Sequence, residues 1–133
     1  MRDDIWLRER LDLIIKKYFV EMETSDVEIR FFGRARRRLG SIRKIDNSSL
    51  IRVNGVLAAP GIPDFVIDEV IAHELVHYIH GFGSNKERLY KYPHRGGVVE
   101  RELEKRGAAH LVRSSKSWLK SYWDDRRDLF LVK

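Results

Sequence analysis

A single α+β domain is what this chain predicts, on three observations. Its 133 residues suit one ordinary domain and leave little room for two. Apolar residues make up 43% and charged residues 35%, the balance of a soluble globule with one modest core. Short alternating runs, which read as strands, lie between longer stretches of helical periodicity, so a small antiparallel or mixed sheet should share that core with helices.

Taken in order, Ile5, Trp6, Leu7, Leu11, Leu13, Ile14, Ile15, Tyr18 and Phe19 recur at helical spacing, so residues 3–20 read as an amphipathic helix. Val27, Ile29 and Phe31 alternate with Glu28, Arg30 and Phe32 in a short strand that ends at Gly33. A basic connector, Arg34 to Arg38, follows. Residues 39–45 and 50–57 are β-branched runs separated by Asp46-Asn47-Ser48-Ser49, the pattern of a hairpin. Pro60-Gly61-Ile62-Pro63 breaks the chain. Asp64 is then placed to cap a helix running to about His80, stopped by Gly81-Phe82-Gly83. Asp64, Asp68 and Glu69 suit the positive end of its dipole. A polar loop reaches Pro93, a helix covers about 97–106 before Gly107, and 114–128 reads as a C-terminal amphipathic helix.

Several classes are excluded. There are no cysteines, so neither disulfides nor a thiolate metal site is available, and a transition metal would need histidine nitrogens and carboxylate oxygens. The charged N-terminus and the broken apolar run after it resemble neither a signal peptide nor a membrane span, so the expectation is a cytoplasmic protein with no membrane partner. Net charge is +6 with a pI near 9.7, unevenly spread. Residues 57–85 contain no Lys or Arg, whereas the segments on either side are rich in both. An uncompensated acidic stretch suits a cation site, because fixed positive charge would compete with a metal. The flanking basic blocks suit an anionic partner or are simply solvated faces.

The acidic stretch carries His73-Glu74-Leu75-Val76-His77. Histidines four apart on a helix leave the same face about 6 Å apart along the axis, so both can reach one ion at about 2.0–2.1 Å. Glu74 is too close to His73 in sequence to be a comfortable ligand. It is placed instead to take a proton from a water that zinc has acidified, as a general base in carbonyl hydrolysis. The surrounding helix is the most apolar in the chain, so an ionisable trio on it needs a partner that offsets its desolvation. The bland alternative is a pair of hydrogen-bonded core histidines beside a surface glutamate.

Two residues compete as third ligand. His94 ends the loop opened by Gly81 and Gly83, and Glu100 lies on the next helix, as in gluzincins; His94 is the favoured one. His80 is on the right face but about 10.5 Å from His73 along the axis, too far for a shared ion, and reads as a structural residue. The metzincin pattern needs Gly at 80 and His at 83, where this chain has His80 and Gly83.

These residues, with Leu39-Gly40-Ser41, the strand-like Ile51-Arg52-Val53-Asn54-Gly55-Val56-Leu57, Pro60, and Val70-Ile71-Ala72 before His73, resemble the SprT-like and YgjP-like zincin metallopeptidases. The match covers about residues 36–106 and includes His94-Arg95-Gly96-Gly97, where that family places its third histidine. Val98 stands where the family usually has an aromatic residue, and the zinc-ribbon cysteines of some members are absent. The resemblance implies a compact zincin-like fold, one Zn2+ held by His73, His77 and His94, Glu74 as the catalytic residue, and hydrolysis of a protein or peptide substrate. Some relatives cut proteins crosslinked to DNA, which would suit the basic blocks.

Two alternatives stand beside this reading. His77-Tyr78-Ile79-His80 resembles the regulatory proteases of the ImmA/IrrE type, although their Glu-x-x-Ala-Asn run is absent; Glu100 to Ala108 is a weak echo of it. The chain could instead be a nucleic-acid-binding module with a non-catalytic metal site. DNA would then be met by Arg34, Arg36, Arg37, Arg38, Arg43 and Lys44, and by Lys116, Lys120, Arg126 and Arg127, with Trp118, Tyr122 and Trp123 either stacking on bases or packing the tail helix. Residues 50–57 are expected to form an edge strand beside the histidine helix and to bind an extended peptide.

Overall fold

A computed structural model of the chain describes residues 1–35 and 37–123. It begins with α1 (Asp4–Tyr18), whose N-cap Asp3 accepts a hydrogen bond from the Trp6 amide at 2.8 Å. Leu7, Leu11, Ile14 and Tyr18 form its buried stripe, the spacing that a helix lying on a core requires. Strands β1 (Val27–Phe32), β2 (Gly40–Ile45) and β3 (Ser48–Asn54) follow. The turn between β2 and β3 is tighter than the sequence suggests, because Asp46 takes the left-handed conformation (φ 52°) that Asp tolerates and Ser48 already belongs to β3.

The sheet order is β1-β3-β2, with β3 parallel to β1 and antiparallel to β2. This corrects one expectation: the 50–57 segment is not an edge strand but the centre of the sheet. Leu50 and Ile51, adjacent in sequence and therefore on opposite faces, are both buried, so β3 is covered on both faces as well as paired on both sides. The segment also ends early. The Asn54 side chain accepts from the Val56 amide and donates to the carbonyls of Ala35 and Arg38, so β3 gives way to a 3-10 turn at Gly55–Ala58 while the basic connector is tied down.

The central helix α2 (Asp64–Ile79) is buried along nearly its whole length, against β2 and β3 on one side and α1, α3 and α4 on others. Its N-cap is Pro63, with no side-chain cap, so the capping role expected of Asp64 is not observed. Asp64 is the first helical residue, and its carboxylate accepts from Arg2 at 2.6 Å. The same guanidinium binds the carbonyls of Ala59 and Ile62, which fixes the break before α2. Arg10 of α1 grips the buried Asp68 of α2 through two hydrogen bonds at 2.8 and 2.5 Å.

At the far end of α2, Gly81 (φ 86°) turns the chain, and a Cβ there would lie 2.5 Å from both Arg88 Cα and the Glu87 carbonyl oxygen. Only glycine allows the 82–94 loop to fold back so closely. The loop ends in a short 3-10 turn and α3 (Val98–Lys105), followed by α4 (Ala109–Trp118). The last helix thus starts five residues before the expected Ser114, and a π-helical turn, Leu119–Trp123, succeeds it. The remainder of the expected 114–128 helix lies outside the described residues. No helix among those described is long and apolar enough to cross a membrane.

Candidate metal centre and cleft

Three of the sequence-predicted site residues come together. His73 and His77 project from one face of α2, and His94 reaches them from the loop that Gly81 folds back. Their Nε2 atoms stand 3.1 Å (His73–His77), 3.2 Å (His73–His94) and 2.9 Å (His77–His94) apart. The rings of His73 and His94 lie 33° from one another, and each is nearly perpendicular to that of His77.

A neutral imidazole offers one N–H and one lone pair, so three Nε2 atoms this close can be satisfied pairwise only in part. One cation at their centre satisfies all three. Tetrahedral ligands at 2.0–2.1 Å from one ion stand about 3.3–3.4 Å apart, within about half an ångström of all three spacings here. The histidine set therefore fits a small divalent ion such as zinc. Burial pushes the His73 imidazolium down to about 4 and that of His77 to about 3, with the neighbouring histidines adding to the effect, so both rings are neutral at ordinary pH. Neutral imidazole is the form that binds a metal. The His77 ring is held edge-on against Phe82 at 6.2 Å.

Glu100, the competing third ligand, is on α3 and outside this group; it reaches His73 only as a nearby negative charge. His80 is also apart. Its ring is buried, with Nε2 3.7 Å from a Glu102 carboxylate oxygen and its centroid 4.7 Å from that of Tyr90, a structural place as expected.

The triad opens into a cleft of about 620 Å³. Its floor is Glu69, Val70, His73, Glu74 and His77 of α2; one wall is Arg37 to Ile42, and Phe82, Pro93, His94 and Leu119 complete it. The wall is thus β2, an edge strand, rather than the 50–57 segment. Gly40 makes this close approach possible, since a Cβ there would come 2.5 Å from Val70 Cγ1 and 3.4 Å from Glu74 Oε2. Glu74 is 5% exposed, and burial pushes its carboxyl up to about 8, helped by Glu69 and opposed by Arg38.

Two features of the cleft escaped the sequence reading. The first is β2 as the strand that borders the helix. The second is Glu69, expected only to suit the positive end of the helix dipole. It lines the cleft one turn before His73, and burial, then the charge of Glu100, pushes its carboxyl up to about 7 against the opposing Lys116. Its position four residues before His73 was the available signal, because residues four apart share a helix face.

No family model and no curated protein matches the sequence. Among solved structures, the fold is similar to the crystal structure of the metallopeptidase zymogen of Methanocaldococcus jannaschii jannalysin. The likeness has a TM-score of 0.52 at 12% identity and covers 86% of this chain and 94% of that one. Together with the three-stranded mixed sheet and four α-helices described above, it places the chain among compact α+β folds of the zincin-like kind.

Proposed function

We propose that the chain is a zinc-dependent peptidase in which His73, His77 and His94 hold the ion and Glu74 is the general base. The observation that carries this reading is the convergence of three imidazole Nε2 atoms within 3.2 Å of one another, in a cleft shared with a buried glutamate. Zinc bound there would supply Lewis-acid polarisation of the scissile carbonyl and acidify a water molecule. Glu74 would accept a proton from that water and pass it to the leaving amine. Positive charge at the triad would draw the Glu74 carboxyl down from about 8 toward the ionised form that a base needs.

Substrate is held, on this reading, by β2. Among the described residues no strand pairs with its outer side, so its free backbone groups can take up an extended peptide by strand addition beside His73. The presence of His94 rather than Glu100 beside the pair supports the SprT-like or YgjP-like assignment, as does the tight contact that Gly40 permits. The fold likeness to a metallopeptidase zymogen agrees with it. The test is hydrolysis of an unstructured protein such as casein. Activity should vanish with a chelator, return with zinc, and fall about 10²–10⁴-fold in Glu74→Gln while the metal stays bound. A Glu74→Gln protein as fast as the wild type would contradict the assigned role.

Substrates associated with DNA are a further part of this proposal. Arg37 and Arg38 line the cleft, and Arg43 and Lys44 are exposed on the strand that borders it. The aromatic component is weaker than the sequence suggests: Trp123 is buried, Trp118 packs against the core, and Tyr122 alone of the three is exposed, at 43%. Arg36, Arg126 and Arg127 lie outside the described residues.

A further inference from the structure

We propose that Glu69 selects the substrate by binding the ammonium or guanidinium group of a lysine or arginine immediately C-terminal to the scissile bond. The inference rests on the peptidase reading above and names its specificity. Glu69 shares the α2 face of His73, about 6 Å before it along the axis, and lines the same cleft. Among the described residues its carboxylate accepts no hydrogen bond and enters no ion pair. The charges that act on it are the Glu100 carboxylate, which disfavours its ionisation, and the Lys116 ammonium, which opposes that effect. Arg37 and Arg38 line the same cleft without forming an ion pair with it, so Glu69 has no bonded cation of its own. A carboxylate is an acceptor only, and one held in a cleft without a donor is costly. A cationic side chain entering from the substrate supplies both the donors and the missing charge.

The strand direction tells on which side of the cut that side chain lies. Gly40, at the start of β2, packs against Val70, whereas the Ile42 carbonyl lies against Gly83, beyond the end of α2. The strand and α2 therefore run the same way. A peptide pairing antiparallel to β2, the commoner arrangement, enters at the Phe82 end and leaves toward Gly40 and Glu69. Its residues after the scissile bond are the ones that meet Glu69.

The experiment uses zinc-loaded protein and a peptide series with Lys, Arg, Met or Glu at each position flanking the cut, with products read by mass spectrometry. In the wild type, kcat/KM for Lys or Arg just after the cut should exceed that for Met by about tenfold or more, as a charge-assisted contact implies. Glu69→Gln should bring that ratio close to one with metal content unchanged, and Glu69→Lys should turn the preference toward Glu. A wild type that cuts Lys and Met peptides alike, or a ratio that Glu69→Gln leaves unaltered, overturns the inference while the peptidase reading stands. Should no peptide be cut, that reading fails, and the same series is titrated against zinc-loaded Glu74→Gln by fluorescence anisotropy. Tighter binding of the Lys peptide, lost on adding Glu69→Gln, then sustains the subsite; equal or absent binding overturns it.

Discussion

At the scale of single residues, the cleft holds two carboxyls in surroundings that oppose their ionisation. Glu69 is the one whose effect on stability can be isolated, since it stands a full turn from the nearest histidine. Its carboxyl is pushed up to about 7 in the folded protein and returns to the usual carboxylate range on unfolding. The folded state thus binds more protons than the unfolded state between those values, and stability falls as pH rises through that window. Glu69→Gln removes this dependence. In chelator-treated protein the variant should gain melting temperature over the wild type at pH 8 and show a smaller difference at pH 5. An equal difference at both would mean that Glu69 is solvated in the cleft. His73, Glu74 and His77 were legible in the sequence because their geometry is local: a helix and a spacing of four fix it. Glu69 obeys the same rule and was readable by the same means.

At the scale of elements, the site depends on how tightly β2 lies against α2. Gly40 is the contact point, with room for no Cβ beside Val70. Gly40→Ala should destabilise the protein by about 1–3 kcal/mol through overpacking. The double variant Gly40→Ala/Val70→Ala should recover part of this loss, a coupling measurable by urea denaturation. Strict additivity would show that the two residues do not touch. The strands themselves were easy to find but their order was not. Pairing of β1 with β3 joins residues about twenty apart, and nothing local announces it. Leu50-Ile51 within an otherwise alternating run marks a strand covered on both faces, but face coverage leaves its neighbours in the sheet open. The loop that delivers His94 was legible only in its glycines. Gly81 showed where the chain turns, but not that it folds back far enough to seat His94 beside His77.

At the scale of the whole molecule, positive charge lies along the side of the cleft rather than on its floor. The floor is acidic and its wall carries Arg37 and Arg38, while Arg43 and Lys44 are exposed further along β2. A polyanion crossing that wall would release counterions, so single-stranded DNA should bind at low salt and weaken steeply as salt rises. Titration of labelled DNA at two salt concentrations, with wild type and with Arg37 and Arg38 changed to Glu, checks this; no binding at low salt would detach the protein from nucleic acid. The α+β class and the central helix followed from composition and periodicity, and the motif resemblance implied a zincin-like fold; the likeness to one particular metallopeptidase zymogen, at 12% identity, is one of shape rather than of sequence. Identity that low shows the fold alone, so the functional reading rests on this chain's own histidines and stands or falls on the ion they bind. Elemental analysis of protein purified without chelators is the most direct measurement, made on the wild type, His94→Ala and Glu100→Ala. One zinc per chain in the wild type and in Glu100→Ala, with loss in His94→Ala, is the predicted result. A wild type without stoichiometric metal, or metal retained in His94→Ala and lost in Glu100→Ala, would contradict it.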